Sequence, residues 1–281
     1  MSNHESSHVS QEATHEPDTA AEASEQVEQE KASEPPPDDT IIEMRNVDKS
    51  FGQLEVLKGA SLSVKRGETA VVMGGSGAGK SVLLKHLVKL VAPDRGEVWV
   101  KGKRVDQLTG DELDNLRLST GYLFQGGALF DSMTVKENMG FFLERHSDLN
   151  KQERLDRINE TLEWVNLTET RHKYPAELSG GQKKRVGLAR AVILEPEILF
   201  YDEPTTGLDP VSVRTVANLI VRLRDERGIT SIAITHDLLC ADIIADSAHF
   251  IHGGEIVASG TLEDLRNSDH EMLRNFFGRE E

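Results

Sequence analysis

A glycine-rich segment constrains the fold of this chain more than any other feature. It reads GGSGAGKS at residues 74–81, and it follows a continuous apolar run of strand length, Thr69 to Met73. From Lys80 onward, apolar residues recur at helical spacing as far as Val91. A strand, a glycine-rich turn and a helix in this order predict a phosphate-binding loop, whose backbone N–H groups surround phosphate oxygens at the helix start.

The positions of this loop have distinct expected roles. Lys80 would reach the β- and γ-phosphates of a nucleotide, and Ser81 would ligate Mg²⁺. The residues expected around the phosphates are Gly74, Gly75, Ser76, Gly77, Ala78, Gly79, Lys80 and Ser81. A chance match of a glycine-rich loop is the alternative, but the flanking strand and helix argue against it.

A second segment, residues 198–203, supplies acidic groups to such a site. Four apolar residues predict a buried strand, and Asp202 and Glu203 follow at its carboxyl end, where doubly wound sheets bind ligands. Asp202 would hold Mg²⁺ through water, and Glu203 would polarise the attacking water. An acidic strand end facing solvent is the alternative interpretation.

The segment LSGGQ at residues 178–182 has two interpretations. Ser179 and Gln182 have the spacing of a capping box, so a well-capped helix explains them. Two glycines directly after the cap are poor helix formers, however, which indicates a close approach to the backbone. An anion bound at this helix start would fit.

The rest of the chain predicts strands alternating with helices, hence a parallel sheet covered on both faces. Helices are expected from Thr134, where Glu137 completes a capping box, and from Asn150 to about Val165. Two further helices are expected, from Ser179 to about Leu194 and from Pro210 to Arg227. A strand is expected over 230–234, and a hairpin turning at Gly253–Gly254. Short antiparallel strands are expected over 40–46, 54–57 and 60–64.

Composition divides the chain at about residue 40. Of the formal net charge of −16, residues 1–39 carry eleven acidic residues against Lys31 alone. This segment contains few large apolar residues, so we expect a disordered acidic tail over 1–39 and one folded domain over 40–281. The single cysteine, Cys240, excludes an intramolecular disulfide. With neither a signal peptide nor a membrane span apparent, we expect a cytoplasmic chain.

Taken together, six motifs in this order resemble the ATP-binding cassette (ABC) ATPases. They are the loop at 74–81, Gln125, LSGGQ at 178–182, FYDEP at 200–204, Gly207-Leu208-Asp209, and Thr235-His236-Asp237. The resemblance covers about residues 41–277. It implies an α/β P-loop NTPase of ABC type: a mostly parallel sheet, a small antiparallel subdomain, and a helical subdomain over about 126–190 that carries the signature LSGGQ.

The resemblance also implies roles for further residues. Phe51 would stack on adenine, Gln125 would complete the Mg²⁺ shell, and His236 would hold the γ-phosphate and water beside Glu203. Ser179 and Gly181, with Gln182, would bind ATP held by the phosphate loop of a second copy, and Asp209 would contact that copy. Hydrolysis would therefore need a homodimer. Purely structural interpretations stay open for three of these residues. Phe51 could pack in a turn, Asp209 could be the N-cap before Pro210, and His236 could be a cap at a strand end. Gly75 and Val82 depart from the common family residues, but neither supplies an essential side-chain contact.

The motif context favours a transporter subunit over ABC ATPases of DNA repair or translation. The chain has one cassette and no coiled-coil insertion, and its acidic body argues against nucleic acid as a partner. FQGGALFDSMTVKENM at 124–139 and LRNFFG at 273–278 are similar to ATPases of MCE-type (Mla-like) phospholipid transporters. Importers of amino acids or other small solutes have related segments and remain an alternative.

The expected partners follow from that resemblance. They are a multispan permease, which would dock near Gln125–Met133, and an MCE-domain lipid-binding protein. Leu129, Phe130 and Met133 would either contact the permease or belong to the hydrophobic core. The permease would hold the chain on the cytoplasmic face of the inner membrane.

Overall fold

The computed structural model describes residues 34–278, and from Pro35 onward the chain forms one compact unit. Residues 1–33 of the expected acidic tail lie outside the described residues, so its disorder stays a prediction. Among residues 34–39, Pro36 is buried, and the carbonyl of Asp39 accepts a hydrogen bond from the Arg66 amide at 2.8 Å. Within residues 34–278 no helix is long and apolar enough to cross a membrane.

The first sheet is antiparallel and four-stranded, in the order β2-β1-β4-β5. Its strands are β1 (Thr40–Phe51), β2 (Leu54–Lys65), β4 (Arg95–Val100) and β5 (Lys103–Arg104). The predicted short strands over 40–46, 54–57 and 60–64 are wrong in extent, because they join into a hairpin of two twelve-residue strands. Register shifts, including one between Met44 and Val47, let pairing continue past Asn46, whose φ is 48°.

The second sheet has six strands in the order β10-β9-β3-β8-β7-β6 and is parallel except for the β9–β10 hairpin. Its strands are β3 (Thr69–Met73), β6 (Thr120–Leu123), β7 (Ile198–Asp202), β8 (Thr230–Ile234), β9 (Ser247–His252) and β10 (Glu255–Gly260). The mostly parallel sheet is therefore confirmed. The carboxyl ends of β3, β6, β7 and β8 meet at one edge, where ligands bind in such sheets.

The described residues form nine α-helices, of which the first seven lie between strands and the last two follow β10. They are α1 (Lys80–Leu87), α2 (Gly110–Leu118), α3 (Val135–His146), α4 (Lys151–Trp164), α5 (Gly180–Val192), α6 (Pro210–Arg227), α7 (Leu238–Ile244), α8 (Leu262–Asn267) and α9 (Glu271–Phe276). The predicted capping boxes of α3 and α5 are confirmed, and Asn150, expected as the start of α4, also caps it through a capping box. α1 ends four residues earlier than predicted, since Lys89 takes a left-handed φ of 51°.

Side chains of the parallel sheet alternate between two hydrophobic clusters. Val71 and Met73 belong to the cluster that also contains apolar residues of α3, α4, α5 and α6. Ala70 and Val72 belong to the cluster shared with α1 and the antiparallel sheet. Because both faces are covered, every residue of β3, β7 and β8 is buried. The sheet edge that carries the polar residues is thereby held on a rigid support.

Candidate nucleotide site

The glycine-rich loop lies between β3 and α1 and borders a cavity of about 620 Å³. Its lining residues are Val56, Gly74, Gly75, Ser76, Gly77, Ala78, Gly79, Lys80, Ser81, Val82, Gln125, Glu203, His236 and Phe276. Glycine is required at two positions. A Cβ on Gly74 would lie 2.3 Å from the Ile251 carbonyl oxygen, and Gly79, with a φ of 99°, would place one 2.8 Å from the Val56 oxygen.

Lys80, the first residue of α1, has its ammonium inside the loop. Nζ donates to the carbonyl oxygens of Gly74 at 2.9 Å and Gly75 at 2.8 Å. Burial lowers the pKa of Lys80, and the nearby carboxylates of Glu203 and Asp202 act in the opposite direction. A cation at the start of a helix, beside backbone N–H groups, is suited to phosphate oxygens.

Ser81 and Asp202 join the loop to the end of β7. Ser81 Oγ donates to Oδ1 of Asp202 at 3.0 Å, and Asp202 is 8 % exposed. Within residues 34–278 there is no group of three or more His, Cys, Asp or Glu that could hold a metal alone. Mg²⁺, however, commonly takes one or two protein oxygens and completes its shell with water and phosphate. The oxygen donors of Ser81, Asp202 and Gln125 therefore fit a nucleotide-bound Mg²⁺.

Glu203 and His236 are paired at the same edge of the sheet. His236 Nδ1 lies 2.9 Å from the Glu203 carboxylate, and since a carboxylate only accepts, Nδ1 carries the shared proton. Thr206 Oγ1 donates to the other carboxylate oxygen at 2.9 Å. Glu203 is 8 % exposed and has a left-handed φ of 52°, which is uncommon for a residue other than glycine. The pair can position a water and accept its proton.

The signature residues do not line this cavity. Ser179 caps α5 through a complete capping box, in which its amide donates to Gln182 Oε1 at 2.9 Å. A Cβ on Gly181 would lie 3.0 Å from Ser212 Oγ, so an intrachain contact already accounts for the close approach predicted there. The capping interpretation of Ser179 is thus correct, and its contact with a second nucleotide stays a prediction.

Asp209 and Phe51 also lie outside the lining of the cavity. Asp209 caps α6, accepting from the amides of Val211 and Ser212, and the side-chain hydrogen bond from Ser212 lowers its pKa most. Phe51 ends β1 with 50 % of its surface exposed, and Lys49 Nζ lies 5.4 Å from its ring centroid. The structure therefore gathers Lys80, Ser81, Gln125, Asp202, Glu203 and His236, but not Phe51, Ser179, Gly181, Gln182 or Asp209.

Several residues at the site were not predicted. Val56 and Phe276 line the cavity, the Tyr122 hydroxyl lies 3.5 Å from Asp202 Oδ2, and the Lys184 ammonium contacts the backbone of Gln125 and Glu203. Gln125, whose carbonyl oxygen accepts from Lys184, lies two residues beyond the end of β6. Val56, Tyr122 and Lys184 belong to none of the motifs described above, and Phe276 lies in LRNFFG, a segment for which no contact with nucleotide was predicted. Tertiary contacts bring all four to the sheet edge.

Comparisons with known proteins identify the family. Residues 57–206 match the family described as ABC transporter. The chain is 39 % identical over 255 residues to Protein TRIGALACTOSYLDIACYLGLYCEROL 3, chloroplastic, of Arabidopsis thaliana, covering 85 % of this chain and 73 % of the relative. It is 37 % identical over 235 residues to the probable ribonucleotide transport ATP-binding protein mkl of Mycobacterium leprae, covering 84 % and 68 %.

A methionine import ATP-binding protein, MetN 1 of Bacillus cereus, is 38 % identical over 241 residues, covering 84 % of this chain and 69 % of the relative. A solved dimeric ATP-binding cassette, in a post-hydrolysis state with ADP and Pi, superposes with a TM-score of 0.72 at 30 % identity. That match covers 79 % of this chain and 99 % of the other. The chain therefore belongs to the ATP-binding subunits of the ABC transporter family and is an ABC-type ATPase.

Proposed function

We propose that this chain is the ATPase subunit of a transporter that moves phospholipid between membranes, and that two copies act together. The observation that carries the hydrolytic part is the pairing of Glu203 with His236, 2.9 Å apart, in a cavity that also contains Lys80. A buried carboxylate next to phosphate-binding groups is suited to accept a proton from an attacking water.

The positions of the cavity residues support the roles proposed for them, and the roles proposed for Phe51, Ser179, Gly181, Gln182 and Asp209 rest on the resemblance to ABC ATPases. The loop N–H groups and Lys80 hold the phosphates, while Ser81, Asp202 and Gln125 would hold Mg²⁺, which neutralises phosphate charge when bound. Glu203 accepts the proton of the water, and His236 keeps the carboxylate in place and faces the γ-phosphate. Ser179, Gly181, Gln182 and Asp209 act on nucleotide bound by the second copy, and Phe51 contacts adenine.

Lipid as the cargo has two supports. The Arabidopsis relative is named after a galactolipid, trigalactosyldiacylglycerol. In addition, residues 124–139 and 273–278 resemble the ATPases of MCE-type systems. On this proposal the partners are a multispan permease and an MCE-domain protein, and the chain lies on the cytoplasmic face of the inner membrane through the permease.

The segment after Gln125 offers apolar surface for that permease. Phe130 is 38 % exposed, and Met133 borders a groove of about 380 Å³ between α3 and α4. Leu129, in contrast, packs against the main hydrophobic cluster and is better explained as core. Asn138 supports the segment, since its side chain donates to the Phe130 carbonyl at 3.1 Å and accepts from the Phe130 amide at 2.8 Å.

The hydrolytic role is tested with Glu203→Gln. Because the amide cannot accept the proton, hydrolysis should fall by about 100-fold or more, while a fluorescent ATP analogue should bind as tightly as to the original chain. Size-exclusion chromatography with ATP should then recover a dimer. Normal turnover by this variant would remove Glu203 from the proposed role.

The cargo assignment is tested by affinity purification from membranes. Recovery of an MCE-domain protein with a multispan permease supports lipid transport, whereas ribosomes or DNA would contradict transport of any kind. Phe130→Asp should lose the permease while still binding ATP, and Leu90→Asp, at an exposed apolar residue after α1, should retain it. Equal recovery with both variants would remove Phe130 from the docking surface.

Import of methionine is the second candidate. The observation in its favour is the 38 % identity to MetN 1, which nearly equals the 39 % identity to the Arabidopsis protein. The same purification separates the two, since a methionine importer would bring down a permease and a methionine-binding protein without an MCE domain.

A further inference from the structure

Lys184 is a buried cation that the known motifs do not include. It lies on the second turn of α5, beyond LSGGQ, and is 6 % exposed. Its ammonium donates to the backbone carbonyl of Gln125 and, at 2.9 Å, to that of Glu203. Both acceptors belong to residues that line the nucleotide cavity. One ammonium therefore links the signature helix to the two strand ends that carry the hydrolytic residues.

The contact matters most for Glu203, because its backbone is strained. A φ of 52° is unfavourable for a residue with a Cβ and persists only where surrounding bonds fix it. The Glu203 amide donates to the Ile234 carbonyl at 3.0 Å, and its carbonyl accepts the charged Nζ of Lys184. The Lys184 ammonium thus fixes the backbone carbonyl of Glu203, the residue whose carboxylate must face the attacking water.

The remainder of α5 fixes the Gln125 segment beside Lys184. A Cβ on Gly187 would lie 2.9 Å from Leu123 Cδ1, so the helix packs closely against the end of β6. Arg190 donates to the carbonyls of Gly127 at 3.0 Å and Ala128 at 2.6 Å. Lys184, Gly187 and Arg190 are spaced by three residues and share one face of the helix. Arg190, unlike Lys184, has no hydrogen bond to Glu203 among those that the described residues make.

We propose that Lys184 is a positioning residue for ATP hydrolysis, which ties the backbones of Glu203 and Gln125 to α5. This inference rests on the proposed hydrolytic role of Glu203. α5 begins at Ser179, which is proposed to contact nucleotide on the second copy. A displacement of α5 when that contact forms would therefore move the Glu203 carbonyl of the same chain. In this way, nucleotide bound by the second copy would change the position of the Glu203 carboxylate at the nucleotide site of the first copy.

Lys184→Met tests the proposal in the full chain, because methionine fills similar volume without a donor. We expect the affinity for a fluorescent ATP analogue to stay within about twofold and kcat to fall by about 10- to 100-fold, as a misplaced catalytic group loses rate rather than binding. Lys184→Gln, which keeps two N–H donors, should restore kcat to within about fivefold. Lys183→Met, the neighbouring lysine with a partly exposed side chain, should change neither quantity.

Two further outcomes decide the proposal. Parallel loss of ATP binding and hydrolysis in both Lys184 variants, with a lowered thermal midpoint, would overturn it, because a purely structural residue behaves in that way. Unchanged kcat in Lys184→Met would overturn it as well. If Glu203→Gln abolishes hydrolysis and Lys184→Met does not reduce it, this inference fails alone; if Glu203→Gln turns over normally, the proposed function fails.

Discussion

Two helix starts within residues 34–278 are glycine-rich, and they are capped in different ways. α1 follows Gly79, an N-cap with a φ of 99° and no side-chain hydrogen bond. α5 follows Ser179, whose capping box is complete. The first start borders the nucleotide cavity, and the second does not. Because a side-chain cap satisfies N–H groups that a ligand could otherwise bind, the first start is the one suited to a ligand within one chain.

The second start carries a complete side-chain cap within the chain. Its glycines are explained in part by neighbours inside the chain, since a Cβ on Gly180 would touch Leu208 and one on Gly181 would approach Ser212. Ser179 does not line the nucleotide cavity of its own chain, so the ligand role proposed for it concerns nucleotide bound by a second copy. Substitutions should distinguish the two starts. Those at the start of α1 should lower the affinity of each chain for nucleotide, and those at the start of α5 should lower ATP hydrolysis by the two copies together.

The largest effect is expected from Lys80→Ala. It removes the ammonium held at the Gly74 and Gly75 carbonyls, so affinity for a fluorescent ATP analogue should fall by at least about 100-fold. Lys85→Ala, on the same helix, is the matched control and should bind as before. Retained affinity in Lys80→Ala would show that the first start does not bind phosphate through this side chain.

A smaller effect is expected from Ser179→Asp, which separates capping from ligand binding. Aspartate caps helices about as well as serine, so the thermal midpoint and nucleotide affinity should be unchanged. Its charge would face the phosphates of the second copy's nucleotide, and hydrolysis should fall by about 10- to 100-fold. The steady-state ATPase rate measures this loss.

Asn150→Asp is the control for Ser179→Asp, since it makes a similar change at the capped start of α4. It should leave hydrolysis intact. Equal activity of the two variants would mean that Ser179 is only a cap, and the contrast between the two helix starts would no longer indicate a composite site.

Local chemistry explains which elements could be predicted. The starts of α3, α4 and α5 follow from caps at Thr134, Asn150 and Ser179, because a cap and its partner lie three residues apart. β6 was missed because TGYL is short and Gly121 weakens its strand pattern. That glycine is needed since a Cβ there would lie 2.4 Å from the Ala191 carbonyl on α5, a contact that the sequence does not reveal.

The same division applies to the site. Lys80, Asp202 and Glu203 were predicted from a loop and a strand end, which are continuous segments with a known chemical purpose. Lys184 was not, because in the run Lys183-Lys184-Arg185 it resembles any surface lysine. Its burial depends on the packing of α5 against β6 and on the carbonyl of Glu203, far away in sequence. Positioning residues of this type follow from tertiary structure only.

The smallest effect is expected from Asp209→Asn, at the cap of α6 beside the second helix start. Asparagine also accepts from the amides of Val211 and Ser212, so the thermal midpoint should change little. The loss of charge should weaken contact with the second copy and lower hydrolysis by about two- to fivefold. Ser212→Ala removes the 2.6 Å bond to Asp209 yet keeps the carboxylate, and it should leave hydrolysis nearly unchanged. If the Ser212 variant loses activity and the Asp209 variant does not, the geometry of the α6 cap rather than the charge of Asp209 governs hydrolysis, and the proposed contact of this charge with the second copy is wrong.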